Sequence, residues 1–167
     1  MATSPISVSW IERPLIHGGG AQRPRRIVVH AMCAEIDYEG SRIDAAALLD
    51  RLKLSAHVLI QPDGTAIRCR RDDQVAWHAK GHNTDSLGVE VLVPWAYDLD
   101  GLKRVTAEKW VSTAQFGALA SIITIWKRVH RIERIDRHSD LDPERRFFDP
   151  GQGFPWVELL QRTWGSL

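Results

Sequence analysis

The stretch Arg137–Trp156, RHSDLDPERRFFDPGQGFPW, limits what this chain can fold into more than any other segment. It carries His138, Asp140, Asp142, Glu144, Arg145, Arg146 and Asp149, interrupted by Pro143, Pro150, Gly151, Gly153 and Pro155. Proline fixes φ and lacks an amide donor, so no helix runs through the whole segment. A charge-dense loop beside a core has to be held by something outside itself. A divalent metal with His138 and Asp149 among its ligands is one such hold, and the rest of the chain then becomes the scaffold for a third ligand.

That scaffold has recognisable parts. Arg26–Met32, RIVVHAM, places three β-branched residues in a row, the pattern of a strand buried on both faces, and His30 ends the run. Ser86–Val93, SLGVEVLV, is a second such strand, with Glu90 inside an apolar run. A carboxylate there is costly unless it is paired, protonated or near a metal. Ser55–Cys69 reads as a hairpin around Pro62-Asp63-Gly64, in which proline presets φ and glycine takes the position needing φ > 0.

Helices are expected over Ser41–Leu54, over Thr113 to about Arg131 and over Trp156–Trp164. In the second, Thr113 is the expected N-cap and Phe116, Leu119, Ala120, Ile123 and Trp126 form the apolar stripe. In the third, Val157, Leu160 and Trp164 share the expected buried face. A short strand, Ile132–His138, leads into the proline-rich loop. Asp72–Asp85, with Trp77, His78, His82 and Asn83, reads as a polar loop over a site, and Pro94–Lys109 as an irregular excursion. The order of elements predicts an α/β fold: one mixed β-sheet flanked by helices, preceded by an N-terminal arm over residues 1–25 with a short strand near Ile6–Trp10.

Composition narrows the partners. A chain of 167 residues fits one domain with a real core. Its formal charge of +1 argues for neither nucleic acid nor a membrane surface. No apolar run approaches the length of about 18 residues that a membrane span needs. The start, MATSPISVSWIERPLIHGGG, lacks a basic segment followed by an apolar one, so no secretory signal is expected and the chain reads as cytoplasmic when synthesised. Cys33 and Cys69 read as small buried hydrophobes. His30, His138 and Asp149 stand at segment ends that a small sheet can bring together, and two histidines with one carboxylate suit Zn2+. Spacing alone leaves many other triads open.

Taken together, RIVVHAM, LSAHVLIQPDGTAIRC, VAWHAKGHNTDSLGVEVLV, TAQFGALASII and RHSDLDPERRFFDPGQGFPW resemble the zinc-dependent N-acetylmuramoyl-L-alanine amidases of the type 2 family. These share their fold with phage lysozyme-type amidases and peptidoglycan recognition proteins. The resemblance runs in order from about Arg26 to Trp156 and implies an amidase domain over 26–167. It implies hydrolysis of the amide between the lactyl group of N-acetylmuramic acid and L-alanine, with peptidoglycan or muropeptides as substrate. It also implies His30, His138 and Asp149 as zinc ligands and Glu90 as general base.

Relatives often carry a lysine two residues before the aspartate ligand, where this chain has Phe147. The loop reads one residue longer, which offers Arg146, ahead of Arg145, as its catalytic replacement. The phage members' tyrosine is Ala56 here. His78, His57 and Trp77 are expected to contact substrate or line the cleft. Two settings fit: a cytoplasmic enzyme recycling muropeptides, or a phage-encoded lysin released to the cell wall. The alternative is a non-catalytic peptidoglycan-binding protein on the same fold.

Overall fold

The computed structural model describes residues 8–165. In chain order its strands are β1 Trp10–Glu12, β2 Gly18–Ala21, β3 Arg26–Cys33, β4 Glu35–Tyr38, β5 Ser41–Asp44, β6 Val58–Ile60, β7 Ala66–Arg68, β8 Gln74–Ala76, β9 Ser86–Val93 and β10 Arg134–Arg137. The helices are α1 Ala45–Arg51, α2 Leu99–Ala107, α3 Thr113–Val129, α4 His138–Leu141 and α5 Trp156–Trp164, with a 3-10 turn at Asn83–Asp85. Six strands form one mixed sheet in the order β1-β7-β6-β9-β3-β10. β6, β9, β3 and β10 run parallel, while β7 turns back antiparallel to β6.

The two long apolar runs become the central pair, β3 and β9, joined in register over their full length. Alternate side chains point to opposite faces of a strand. Val29, Ala31, Val89 and Val91 therefore meet Phe116, Leu119, Ile123 and Trp126 of α3, and Leu159 of α5, in the main core. The other face carries His30, Gly88 and Glu90, and farther along it Leu59 and Leu92 pack under Ala45, Ala46 and Leu49 of α1. The expected mixed sheet between helices is what the chain forms.

Local outcomes differ where short-range chemistry decides. The hairpin forms as read, with Gly64 at φ +88. The helix expected over Ser41–Leu54 begins only at Ala45, because Asp44 caps it by accepting from the Ala47 N–H, while 41–44 pair with β4. Pro94–Lys109 contains α2, capped by Asp98, which accepts from the Gly101 N–H at 2.6 Å. The N-cap of α3 is Ser112, one residue before the expected Thr113, and it forms a reciprocal capping box with Gln115. In α5 the buried residues are Leu159 and Thr163, and Val157 faces out.

The arm is partly sheet: β1 pairs with β7 and β2 with β8. The strand expected near Ile6–Trp10 lies outside the described residues at its start, and pairing begins at Trp10. Among the described residues, no helix is long and apolar enough to cross a membrane.

The proline-rich loop is held by protein contacts before any ligand is considered. The Gly153 N–H donates to the Thr106 carbonyl at 2.9 Å, and a Cβ at Gly153 would collide with the Glu108 carbonyl just past α2. Phe148 and Phe154 are buried in the same region. The Ser139 N–H reaches back to the Asp149 carbonyl at 2.8 Å, which ties the loop's two ends together.

Gln115 is fully buried, donating to the Leu92 carbonyl at 2.7 Å and the Ile60 carbonyl at 3.3 Å while accepting from the Ser112 N–H. It stitches α3 to the ends of two strands. Gln115→Ala strands these backbone groups, so it is expected to cost about 2–3 kcal/mol in denaturant unfolding. A change under about 0.5 kcal/mol would show that water replaces the amide without loss.

Candidate metal centre and active site

His30 and Glu90 are direct register partners on adjacent parallel strands, so both side chains project from the same face. His138 is the first residue of α4, immediately after β10, which lies on the other side of β3. Asp149 closes the loop, and its Oδ1 accepts from the Ala31 N–H at 2.7 Å, which orients the carboxylate. All four residues are buried.

Three atoms converge. His30 Nδ1 lies 2.9 Å from His138 Nδ1, His138 Nδ1 lies 2.8 Å from Asp149 Oδ2, and His30 Nδ1 lies 3.5 Å from Asp149 Oδ2. A zinc ion with bonds of about 2.0–2.1 Å spaces its tetrahedral ligand atoms roughly 3.3 Å apart, which this triangle fits. Hydrogen bonding alone does not account for it. One proton on His138 Nδ1 can serve only one of its two neighbours, leaving lone pairs opposed at short range. The three residues form a buried donor set able to hold a metal ion.

Glu90 stands one step back, its Oε1 4.0 Å from His30 Nδ1. Burial and the nearby Asp149 charge push its carboxyl well above the usual range. Burial pushes Asp149 up as well, but the imidazoles of His138 and His30 beside it outweigh that and bring the carboxyl down to about 2. Burial also lowers His30 and carries His78 well below an ordinary imidazole.

A cavity of about 210 Å³ opens over this cluster, and His30, Glu90, His138, Asp149, Trp77, His78 and Arg146 all line it. Its remaining wall is largely apolar, with Leu48 and Leu49 of α1, Leu52 just past that helix, and Leu99 and Leu102 of α2. A larger hollow, about 400 Å³ beside Trp95 and Tyr97, holds neither the histidines nor Glu90.

The flanking arginines separate. Arg145 pairs with Asp142 at 2.7 Å and stays outside the Glu90 cavity. Arg146 lines that cavity and has no ion-pair partner among the described residues, while Phe147 is exposed.

The substrate-facing expectations divide as well. Trp77, 41% exposed, borders the cavity. His57 does not: it is fully buried, its Nδ1 accepting from the Gly88 N–H at 3.0 Å and its Nε2 lying 2.9 Å from the Gln74 carbonyl. A side chain so enclosed cannot touch a ligand, so its place is structural. His78 borders the cavity, yet both ring nitrogens face protein, Nδ1 at 2.9 Å from His30 Nε2 and Nε2 at 3.1 Å from Ser86 Oγ. Sequence reasoning passed over Gly88 and Ser86. A glycine inside a strand pattern marks close approach, and a Cβ on Gly88 would stand 2.5 Å from the His78 ring.

The N-acetylmuramoyl-L-alanine amidase family (Amidase_2) matches residues 20–152, most of the chain, and the protein belongs to that family. Comparison with curated proteins finds no match. Among solved structures, the chain is similar to the N-acetylmuramoyl-L-alanine amidase LysC from Clostridium intestinale URNW, with TM-score 0.71 and 20% identity, covering 93% of this chain and 97% of that one. It is similar to a selenomethionine derivative of AmpD, with TM-score 0.70 and 22% identity over 97% and 99% of the two chains. It also resembles the peptidoglycan recognition proteins LCa and LCx in complex with tracheal cytotoxin, with TM-score 0.64 and 17% identity over 92% and 95%. These likenesses establish a shared fold.

Burial lowers the His57 imidazole to about 4. A histidine depressed in the folded state leaves the unfolded chain binding more protons between its two pKa values, so stability rises with pH there. The His57 contribution is therefore complete above about pH 6.5 and is lost as pH falls towards 4. His57→Gln is expected to flatten the dependence of Tm on pH in that window. An unchanged slope would remove His57 as its source.

Proposed function

We propose that this chain is a zinc-dependent amidase hydrolysing the bond between the lactyl carbonyl of N-acetylmuramic acid and L-alanine in peptidoglycan or its fragments. The observation that carries the reading is the meeting, in one cavity, of a buried His-His-Asp donor set with an unligated buried carboxylate. His30, His138 and Asp149 would hold the ion. Zinc bound there supplies Lewis acidity towards the scissile carbonyl and a water nucleophile.

The remaining work falls to side chains. Glu90 takes the proton from the attacking water, and its buried setting makes it a stronger base than an exposed carboxylate. As the tetrahedral centre collapses, the same group returns that proton to the departing alanine nitrogen. Arg146 faces the cavity with a fixed positive charge and offsets the charge developing on the carbonyl oxygen. The Trp77 ring gives a flat apolar surface at the rim for a sugar or peptide face. The leucine wall makes the surroundings of these groups apolar, which strengthens each of these charge interactions.

Likeness to peptidoglycan recognition proteins keeps a binding-only role as the rival, which the intact donor set and Glu90 disfavour. Likeness to an endolysin of the same Clostridium favours a lysin acting on the cell wall, so sacculi and soluble muropeptides are both needed as substrates.

Glu90→Gln is expected to keep stoichiometric zinc and lose about 10²-fold or more in release of L-alanine amino termini. Unchanged release would take Glu90 out of the mechanism. Arg146→Ala is expected to lower kcat by about 10²-fold while Arg145→Ala stays within a few-fold of the parent. The reverse order would move the oxyanion role to Arg145.

A further inference from the structure

Hydrogen-bond direction around His78 can be read from its far end. The Ser86 Oγ lies 2.5 Å from the His82 carbonyl. A carbonyl only accepts, so the hydroxyl proton points to it. The serine oxygen then has lone pairs left for His78, whose Nε2 lies 3.1 Å away and must carry the proton. In a neutral ring the other nitrogen is bare, so His78 Nδ1 accepts. Its neighbour at 2.9 Å is His30 Nε2, which must therefore be the protonated nitrogen of His30. That leaves His30 Nδ1 bare and aimed at His138 Nδ1 and Asp149 Oδ2. The chain runs in one direction only, from His30 through His78 and Ser86 to a backbone carbonyl.

The surrounding protein is built to keep this chain in place. Ser86 is fully buried, and the Asn83 side-chain oxygen accepts from the His78 and Ala79 N–H groups at 3.1 and 2.8 Å, fixing the loop that carries the ring. Gly88 is the floor beneath it. A Cβ there would come within 2.5–2.7 Å of three His78 ring atoms, and the obstacle is a packed ring, not the end of a flexible chain.

We propose that His78 is a positioning residue that selects the Nε2-protonated tautomer of His30, presenting Nδ1 for metal, and that Gly88 exists to admit its ring. This rests on the metal-centre reading above and gives His78 a task distinct from substrate contact. Partners of this kind, acting through a ligand, typically change metal affinity by about 10–100-fold.

The test is zinc affinity of the metal-free protein by chelator competition, with thermal stability of the same metal-free samples as the folding control. His78→Ala is expected to weaken zinc binding by about 10–100-fold. His78→Asn puts an acceptor oxygen near the Nδ1 position and is expected to restore most of that loss. Gly88→Ala should reproduce the His78→Ala defect and add little to it in the double variant, since both act on one ring. In the zinc-loaded parent, NMR of the imidazole nitrogens should show His30 protonated at Nε2. Zinc affinity of His78→Ala within about 2-fold of the parent, no rescue by asparagine, or a His30 protonated at Nδ1 would each overturn the proposal. A parent that binds no zinc would overturn the metal-centre reading itself, an outcome separate from a parent that binds zinc as tightly as its variants do.

Discussion

Two parallel strands, paired in register through the middle of the sheet, set an imidazole and a carboxylate side by side on one face. The alternate residues of the same two strands form continuous apolar core on the opposite face. Everything else at the site depends on that pairing. A slip of one residue would turn His30 and Glu90 into the α3 core, where neither has a partner. The valines of β3 and β9 therefore do more than fill space: their packing under α3 fixes the register that faces the polar groups into the cleft.

A third segment then has to arrive at the same place. β10 brings it alongside β3 and delivers His138 at its end, and the loop that follows returns Asp149 to the Ala31 N–H. This return is secured by the backbone approach of Gly153 to the end of α2 and by the two buried phenylalanines. The convergence is thus imposed by the fold. The loss of solvation it entails raises Glu90, while at Asp149 the two adjacent imidazoles outweigh the same loss and lower it.

How legible this was depended on range. Ile27-Val28-Val29 and the Pro62-Asp63-Gly64 turn state their conformation locally, so β3 and the hairpin could be read directly. The ordered motifs of the family resemblance pointed to His30, His138, Asp149 and Glu90. α2 was hidden, because its cap Asp98 follows Pro94 and Trp95 and precedes Gly101, a composition that reads as loop. The β4–β5 hairpin was hidden by its charged alternation and β2 by its glycine run, while β1 shares with the strand expected near Ile6–Trp10 its residue Trp10. The part of His57 could not be read either. Its neighbours Gln22, Gln74 and Gly88 are all at least 17 positions away in sequence, and only the folded chain brings them onto one ring.

The central claim is that the convergent triangle holds a catalytic ion. Metal content and release of L-alanine amino termini, measured together on the purified protein with and without a chelator, test it most directly. The account predicts one zinc per chain and release that stops on chelation and returns with added zinc. Release that is indifferent to the chelator, or a protein that takes up no metal, would contradict it.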